Sequence, residues 1–220
     1  MDNEKLKLIS FAGVRHPDLP YYLARTLSGE GKQVLLIDNS ELHDLFDSIH
    51  MSEDDKYTGE TVIGNIHYLK DILFSKKAFE KFDYVIVYHG FHINDVLWDE
   101  SSERFLMADT DRFHLRQIQR EMDEAKNKDL VLLILDAYFE KIHEEDLAEL
   151  LTLDPEKLRG ILELPFDPSD LAALQSFQFN GKQSVRKTSS SMKDLLREIY
   201  GDLFGEIRKK DFTKILDRAD

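Results

Sequence analysis

The loop of residues 13–18, Gly-Val-Arg-His-Pro-Asp, is the part of the sequence best placed for chemistry. It follows an apolar run at residues 6–12 and precedes an amphipathic segment at residues 19–27. In a parallel α/β sheet, ligands bind at the carboxyl ends of the strands, and the loop after the first strand usually makes the main contacts. Such a loop commonly cradles phosphate through backbone N–H groups, a lysine and a metal-binding hydroxyl.

Most of the groups needed to bind phosphate and Mg²⁺ are missing from this loop. Pro17 has no N–H to donate, and Asp18 adds a negative charge where an anion would lie. Arg15 and His16 supply positive charge, but neither can replace a metal-binding hydroxyl. The loop therefore has the position of a phosphate-binding loop without the residue types that bind phosphate and Mg²⁺.

The elements around the loop alternate between strand and helix. Residues 5–45 read strand, helix, strand, as in a βαβ unit of a parallel sheet. Residues 82–88 and 130–136 are apolar runs typical of strands covered on both faces, whereas residues 61–69 fit either a helix or an edge strand. Further predictions are helices over 40–49 (capped by Ser40), 75–81, 111–127, 144–151 and 189–208, strands over 104–108 and 160–164, a helical turn over 169–176 and loops over 51–60 and 177–188.

This order predicts a single α/β domain over residues 1–220. Its core would be one doubly wound, mostly parallel sheet of about six or seven strands in a Rossmann-like arrangement of three α/β/α layers. The composition fits a soluble protein, with 42% hydrophobic and 33% charged residues. The N-terminus has no signal-peptide pattern, so we expect a cytoplasmic protein.

Charge and cysteine content exclude several kinds of function. The net charge of −14 argues against non-specific nucleic-acid binding, which needs a basic face. The absence of cysteine excludes disulfides and thiolate chemistry. His89 and His92 are spaced so that they could share a metal, but a surface loop is the expected interpretation. The basic loop with Lys182, Arg186 and Lys187 is likewise expected to be an exposed loop, although it could take a phosphate.

Several landmarks occur in the order and spacing of one known family. Residues 31–38 (GKQVLLID) look like that family's second strand, which ends in an aspartate, and residues 82–88 (FDYVIVY) look like its YDYIIID strand. Residues 130–136 match the strand that runs into an Asn near the adenine, and residues 164–167 (LPFD) resemble its IPYD turn. Across nearly the whole chain the sequence therefore resembles the MinD/ParA (deviant Walker A) P-loop ATPases, including their TadZ/CpaE-like pilus-localisation branch.

The resemblance also implies what has been lost from the first loop. The family's loop reads GKGGVGKTT, which corresponds to residues 10–18 here. Gly13 and Val14 are retained, while Phe11 and His16 stand in place of the two lysines, and Pro17 stands in place of the Mg²⁺-binding hydroxyl. We expect bulky side chains at this end of the sheet to fill the cavity that nucleotide would occupy, namely Phe11, Arg15, His16 and Tyr21.

Two further positions bear on catalysis. The strand that should supply the Walker B aspartate ends in Tyr88, which cannot hold Mg²⁺ as a carboxylate would. Asp38 is retained, and the resemblance makes it the expected water- or Mg²⁺-orienting carboxylate. The resemblance thus implies a degenerate cofactor-binding set with no catalytic residue and no metal ligand, comprising Gly13, Val14, Arg15, His16, Asp18 and Asp38.

The leading interpretation is a non-catalytic, MinD/ParA-like pseudo-ATPase that acts as a localisation or assembly factor through protein–protein contacts. No cofactor is expected, although ATP with Mg²⁺ stays open. Its partner would be a second copy or an active paralogue, and no nucleic acid is expected. One alternative is a nucleotide-binding ATPase with a non-standard loop that uses Arg15, His16 and Asp38. Another is a membrane-surface adaptor, because residues 203–220 form an amphipathic, locally basic extension.

Overall fold

A computed structural model of the protein describes residues 7–49, 57–71, 76–93, 96–125, 128–137, 144–180 and 184–219. Within these residues, eight strands form one sheet in the order β3-β4-β2-β5-β1-β6-β7-β8. They are β1 (Lys7–Gly13), β2 (Val34–Asp38), β3 (Glu60–Ile63), β4 (Ile66–Lys70), β5 (Tyr84–Tyr88), β6 (Glu103–Ala108), β7 (Leu130–Ala137) and β8 (Leu158–Pro165). This confirms the predicted α/β class.

Every strand pairing in the described sheet is parallel except that of β3 with β4. The sheet has more strands than predicted because residues 61–69 belong to an antiparallel hairpin at its edge. Gly64, with φ of +63°, makes the turn between β3 and β4. The edge-strand alternative for this segment is therefore confirmed, and the helical one is wrong.

Helices connect and cover the strands of the described chain. They are α1 (Asp18–Gly29), α2 (Asp44–Ser48), α3 (Lys76–Phe79), α4 (Val96–Glu100), α5 (Arg112–Ala125), α6 (Glu144–Leu150), α7 (Pro168–Asn180), α8 (Ser190–Phe204) and α9 (Lys209–Ala219), with a 3₁₀ turn at Val185–Lys187. None of the helices in the described residues is long and apolar enough to cross a membrane.

Alternate residues of the central strands face two apolar clusters. Ile9 and Phe11 of β1 belong to the larger cluster, whereas Leu8 belongs to the smaller one. The same alternation places Ile86 in the larger cluster and Val85 in the smaller one. Both faces of the sheet are therefore buried, and the fully apolar β7 run agrees with this arrangement.

Several predicted boundaries are wrong. Ser40 does not cap a helix: α2 begins at Asp44, after His43 in a left-handed conformation (φ 52°), and Ser40 bonds to Asp38 instead. The helical turn predicted at 169–176 is the thirteen-residue helix α7, so the first four residues of the predicted 177–188 loop are helical. The helix predicted over 189–208 is α8, which ends at Phe204 because Gly205 has a φ of +93°, and a separate helix, α9, begins at Lys209. Residues 51–56 of the loop predicted over 51–60 lie outside the described residues.

The amphipathic C-terminal extension packs on the domain. Helix α9 lies against α1, and Phe212, Ile215 and Leu216 are buried. The approach is close, because a Cβ on Gly29 would come within 2.9 Å of the Ala219 backbone nitrogen. The apolar face that the adaptor interpretation assigns to a membrane is therefore occupied by the protein's own helix α1.

Candidate functional site

The loop after β1 uses its backbone amides inside the protein. Gly13 N–H donates to the Gly90 carbonyl (2.6 Å), and Val14 N–H donates to the Met107 carbonyl (2.9 Å). His16 N–H donates to the carbonyl of Val14 (2.9 Å). Phosphate binding needs such amides pointing into a shared cavity. These three amides therefore have carbonyl acceptors within the protein, and Pro17 has no N–H to offer a phosphate.

Gly13 is required by the packing of β1 between its neighbours. Its φ is +118°, and a Cβ at this position would lie 1.9 Å from the Met107 carbonyl oxygen. That backbone lies at the end of β6, which pairs with β1. The retained glycine therefore serves the close approach of two strand ends, a role that needs no ligand.

His16 lies between two carboxylates. Its Nε2 is 3.2 Å from Asp136 Oδ2, and its Nδ1 is 3.4 Å from Asp18 Oδ1. Burial by itself would lower the pKa of His16, but its contacts with Asp136 and Asp18 outweigh burial and raise the pKa to about 10. The imidazole is therefore a cation at neutral pH, and its charge is neutralised inside the protein.

Asp136 reaches His16 because of a local distortion of β7. The register between β7 and β8 shifts between Ile134 and Ala137, and Asp136 has a left-handed φ of 52°. An aspartate tolerates this conformation better than most residues, and bulges re-aim side chains at strand ends. The sequence-based prediction of the site does not include Asp136. It could have been included, because Asp136 directly follows a buried strand whose carboxyl end lies at the same edge of the sheet as His16.

Arg15 pairs with a different aspartate from those that contact His16. Its Nε donates to Asp44 Oδ2 at 3.0 Å, and its side chain is 52% exposed. Asp44 also accepts a hydrogen bond from the Ser40 hydroxyl (3.2 Å) and so joins the loop to the start of α2. The positive charges predicted in the loop are thus both paired with aspartates of the same chain.

Asp38 is a buried anchor for the segment that leads into α2. Its Oδ1 accepts hydrogen bonds from the backbone N–H (3.0 Å) and the hydroxyl (2.6 Å) of Ser40, and its Oδ2 accepts one from the Phe46 N–H (2.8 Å). Burial raises the pKa of Asp38, while these hydrogen bonds lower it. With both oxygens engaged by the protein, the carboxylate does not have the open coordination expected of a Mg²⁺ ligand.

Tyr88 is fully buried at the position where a metal-binding aspartate was expected. Its hydroxyl has no hydrogen-bond partner among the described residues. Burial raises the pKa of Tyr88 well above its ordinary value, and the charges of Asp44 and Asp38 raise it further. The side chain is therefore a neutral phenol near the carboxylates of Asp44 and Asp38, and it does not itself supply the negative charge of a Walker B aspartate.

Aromatic packing surrounds the loop. Phe11 is fully buried and stacks on Phe105, with ring centroids 4.9 Å apart. Tyr21, at the start of α1, packs on Phe177 of α7 with centroids 4.4 Å apart. Two of the four side chains expected to fill this end of the sheet, Phe11 and Tyr21, are thus buried in apolar contacts, while His16 and Arg15 are in ion pairs.

The remaining candidate residues do not converge. His89 is buried and its Nε2 shares a hydrogen bond with the Ser10 hydroxyl (2.8 Å), whereas His92 is exposed and 3.9 Å from Glu121. The described residues contain no group of three His, Asp or Glu side chains suited to a metal. In the basic loop, Lys182 lies outside the described residues, and Arg186 pairs with Asp217 at 3.1 Å.

The fold has well-defined relatives among solved structures. No family model and no curated protein matches the sequence. A ParA family ATPase from Chlorobium tepidum TLS superimposes with a TM-score of 0.63 and 14% identity, covering 90% of this chain and 98% of that one. MinD in the MinC:MinD cell division complex of Aquifex aeolicus gives 0.61 and 16% identity, covering 89% and 96%.

A third structure is the septum site-determining protein MinD from Pyrococcus horikoshii OT3, complexed with Mg-ADP. It superimposes with a TM-score of 0.59 and 12% identity, covering 96% of this chain and 99% of that one. At these identities the likeness concerns the architecture. The chain has the α/β fold of the ParA and MinD ATPases, as its sequence landmarks predict.

Proposed function

We propose that this protein is a non-catalytic pseudo-ATPase on a MinD/ParA fold, of the TadZ/CpaE-like kind. It acts as a localisation or assembly factor through protein–protein contacts and needs no nucleotide. The observation that carries this proposal is the internal use of the loop after β1. Its amides donate to protein carbonyls, and its cations Arg15 and His16 are neutralised by Asp44, Asp18 and Asp136.

The residues at the strand ends do not fit Mg²⁺ and ATP. Phosphoryl transfer depends on charge stabilisation by a metal and cations around the transferred group. Here Pro17 stands where a hydroxyl is needed, Tyr88 is a neutral buried phenol, and Asp38 has both oxygens in hydrogen bonds. In the loop after β1, ion pairs within the protein therefore take the place of the residues that would bind the triphosphate.

Calorimetry and thermal unfolding with ATP and Mg²⁺ test the proposal. A ligand that binds the native state raises the melting temperature, by an amount equivalent to about 2.7 kcal/mol at a hundredfold excess over its dissociation constant. We expect no heat of binding and no shift at millimolar ATP. An active protein of the same fold, measured in parallel, shows that the conditions permit binding. Micromolar binding with hydrolysis would overturn the proposal.

A second candidate, a nucleotide-binding ATPase with a non-standard loop, is favoured by one observation. The guanidinium of Arg15 is half exposed at the loop and could exchange Asp44 for a phosphate. In that case Arg15→Gln would abolish the ATP-induced shift, whereas Arg208→Gln, which removes an exposed guanidinium from the C-terminal region, would leave it intact. The pseudo-ATPase proposal expects no shift in either variant or in the wild-type protein.

A further inference from the structure

A cavity of about 320 Å³ lies between helices α8 and α9. Its size is in the range of small-molecule sites. Phe212 and Leu216 contribute buried apolar surface, and the first turn of α8 contributes Ser190. The charged lining residues are Arg186, Lys193, Asp194, Arg197, Lys209 and Asp217.

The lining is cationic in a strongly acidic protein. Four basic side chains and two carboxylates give the cavity a formal charge of +2 (4 − 2), against −14 for the whole chain. The basic lining residues come from α8, from α9 and from the 3₁₀ turn at Val185–Lys187. A local positive potential of this kind attracts anions even when the overall field repels them.

Two of the cations are not fully compensated. Lys209 is 3.0 Å from Asp194, and Arg186 is 3.1 Å from Asp217, so these form ordinary ion pairs. Lys193 donates to the Arg186 carbonyl at 2.7 Å and has no carboxylate partner within the described residues. The buried Nε of Arg197 has no hydrogen bond there, with Asp194 3.6 Å away. The pair Lys193 and Arg197 therefore offers donors to a ligand.

We propose that this cavity binds a small phosphate monoester with an apolar or aromatic body. A phosphate monoester carries a charge of about −1.5 to −2 at neutral pH, which matches the cationic excess of the lining. The phosphoryl oxygens accept from Lys193 and Arg197, and the organic body lies against Phe212 and Leu216. The site is separate from the loop after β1 and does not depend on the function proposed for that loop.

The test is a titration of the full chain with phenyl phosphate, in which binding is measured by calorimetry and by changes in the amide chemical shifts. Separate titrations with inorganic phosphate and with phenol measure how much the charged part and the apolar part of phenyl phosphate each contribute to its affinity. We expect phenyl phosphate to bind more tightly than either and to shift amides of α8 and α9. The double variant Lys193→Gln/Arg197→Gln should bind phenyl phosphate about tenfold or more weakly, because it removes two charge-assisted donors.

The matched control is Lys210→Gln/Lys214→Gln, which removes two charges from exposed positions of α9 that do not line the cavity. We expect its affinity for phenyl phosphate to equal that of the wild type. Equal weakening in both double variants would show that the effect comes from general charge and would overturn the proposal. Amide shifts confined to residues outside α8, α9 and the 185–187 turn would also overturn it. The absence of any binding at millimolar phenyl phosphate would also overturn it.

Discussion

In the loop after β1, His16 is a largely buried imidazolium between Asp18 and Asp136. A buried charge is costly unless it is paired, and breaking such a pair by removing one partner leaves the other uncompensated. The pKa of His16 is about 10 in the folded protein and 6.5 in the unfolded chain. Between these two values the native protein therefore holds a proton that the unfolded chain releases. This makes the contribution of His16 to stability dependent on pH.

We expect His16→Gln to lower the free energy of unfolding most below about pH 6.5, on the order of 2 to 4 kcal/mol. The stabilisation by the charged imidazole is complete below the unfolded pKa and is lost as pH rises through the folded pKa of about 10. The difference between wild type and variant should therefore shrink from about pH 6.5 to about pH 10. Urea unfolding across this range measures it.

The control for this prediction is His92→Gln. The His92 side chain is 61% exposed and 3.9 Å from Glu121, so its loss should give only a small difference in the free energy of unfolding. A pH-independent difference for His16→Gln would contradict the ion-pair account and leave a simple packing role.

At the level of elements, the end of β1 is fixed by the approach of β6. Gly13→Ala would place a methyl group 1.9 Å from the Met107 carbonyl in a backbone with φ of +118°. We expect a loss of about 3 kcal/mol or more, or failure to fold, because both strain and overlap oppose the substitution. Thermal and urea unfolding of the purified variant measure the loss.

Gly31 provides the matched comparison. It also has a positive φ (+81°), but a Cβ there would meet no atom within 4 Å. Gly31→Ala should therefore cost about 1 kcal/mol from backbone strain alone. Similar losses in the two variants would show that φ, and not the contact with Met107, determines the need for glycine.

The C-terminal helix α9 is a part of the folded domain. Phe212 is buried against the body of the protein, so Phe212→Ala should reduce the free energy of unfolding by about 3 to 5 kcal/mol. Vesicle pelleting should be unaffected, because the apolar face is already covered. Lys210→Gln, an exposed change on the same helix, should leave both measurements unchanged. If Phe212→Ala pelleted less with anionic vesicles than the wild type did, while its stability was unchanged, the membrane-adaptor interpretation would be supported instead.

The order of elements could be predicted from sequence because long apolar runs mark buried strands. The unbroken 130–135 run and the GKQVLLID segment each correspond to a strand in the sheet. The boundary between α8 and α9 was harder to predict, because Gly205 ends α8 inside a continuous amphipathic pattern. The glycine itself is a local stop signal, but the apolar periodicity on both sides of it favours a continuous helix.

The site was predictable in its residue types but not in its contacts. The residue types of Pro17 and Tyr88, which have no metal-binding hydroxyl and no carboxylate, respectively, can be read from the sequence. Asp136 enters the site through a bulge that depends on the pairing of β7 with β8, and that pairing is set by tertiary structure. Asp38 shows the opposite case, since the sequence retains the carboxylate but its three hydrogen bonds to Ser40 and Phe46 give it an anchoring role.

At the scale of the whole molecule, acidic residues collect where the strands end. Among the described residues, from the carboxyl ends of the parallel strands to the first residue of the next helix, acidic side chains outnumber basic ones. The acidic residues are Asp18, Asp38, Glu41, Asp44, Asp71, Asp109, Asp111, Asp136 and Asp167, and the basic ones are Arg15, His16, Lys70 and Arg112. This edge is thus negatively charged, as is the chain as a whole. Two copies meeting through this edge would bring like charges together, whereas a basic partner surface would be attracted.

We therefore expect self-association of the protein to strengthen as salt rises from about 20 mM to about 500 mM, because screening shortens the range of repulsion between the edges. Sedimentation velocity over a range of protein concentrations measures this, with and without ATP and Mg²⁺, and the two series should coincide. Asp71→Asn removes an exposed charge at this edge and should make association less dependent on salt. Dimers that weaken with salt, or that form only with ATP, would contradict a nucleotide-independent contact through this acidic edge.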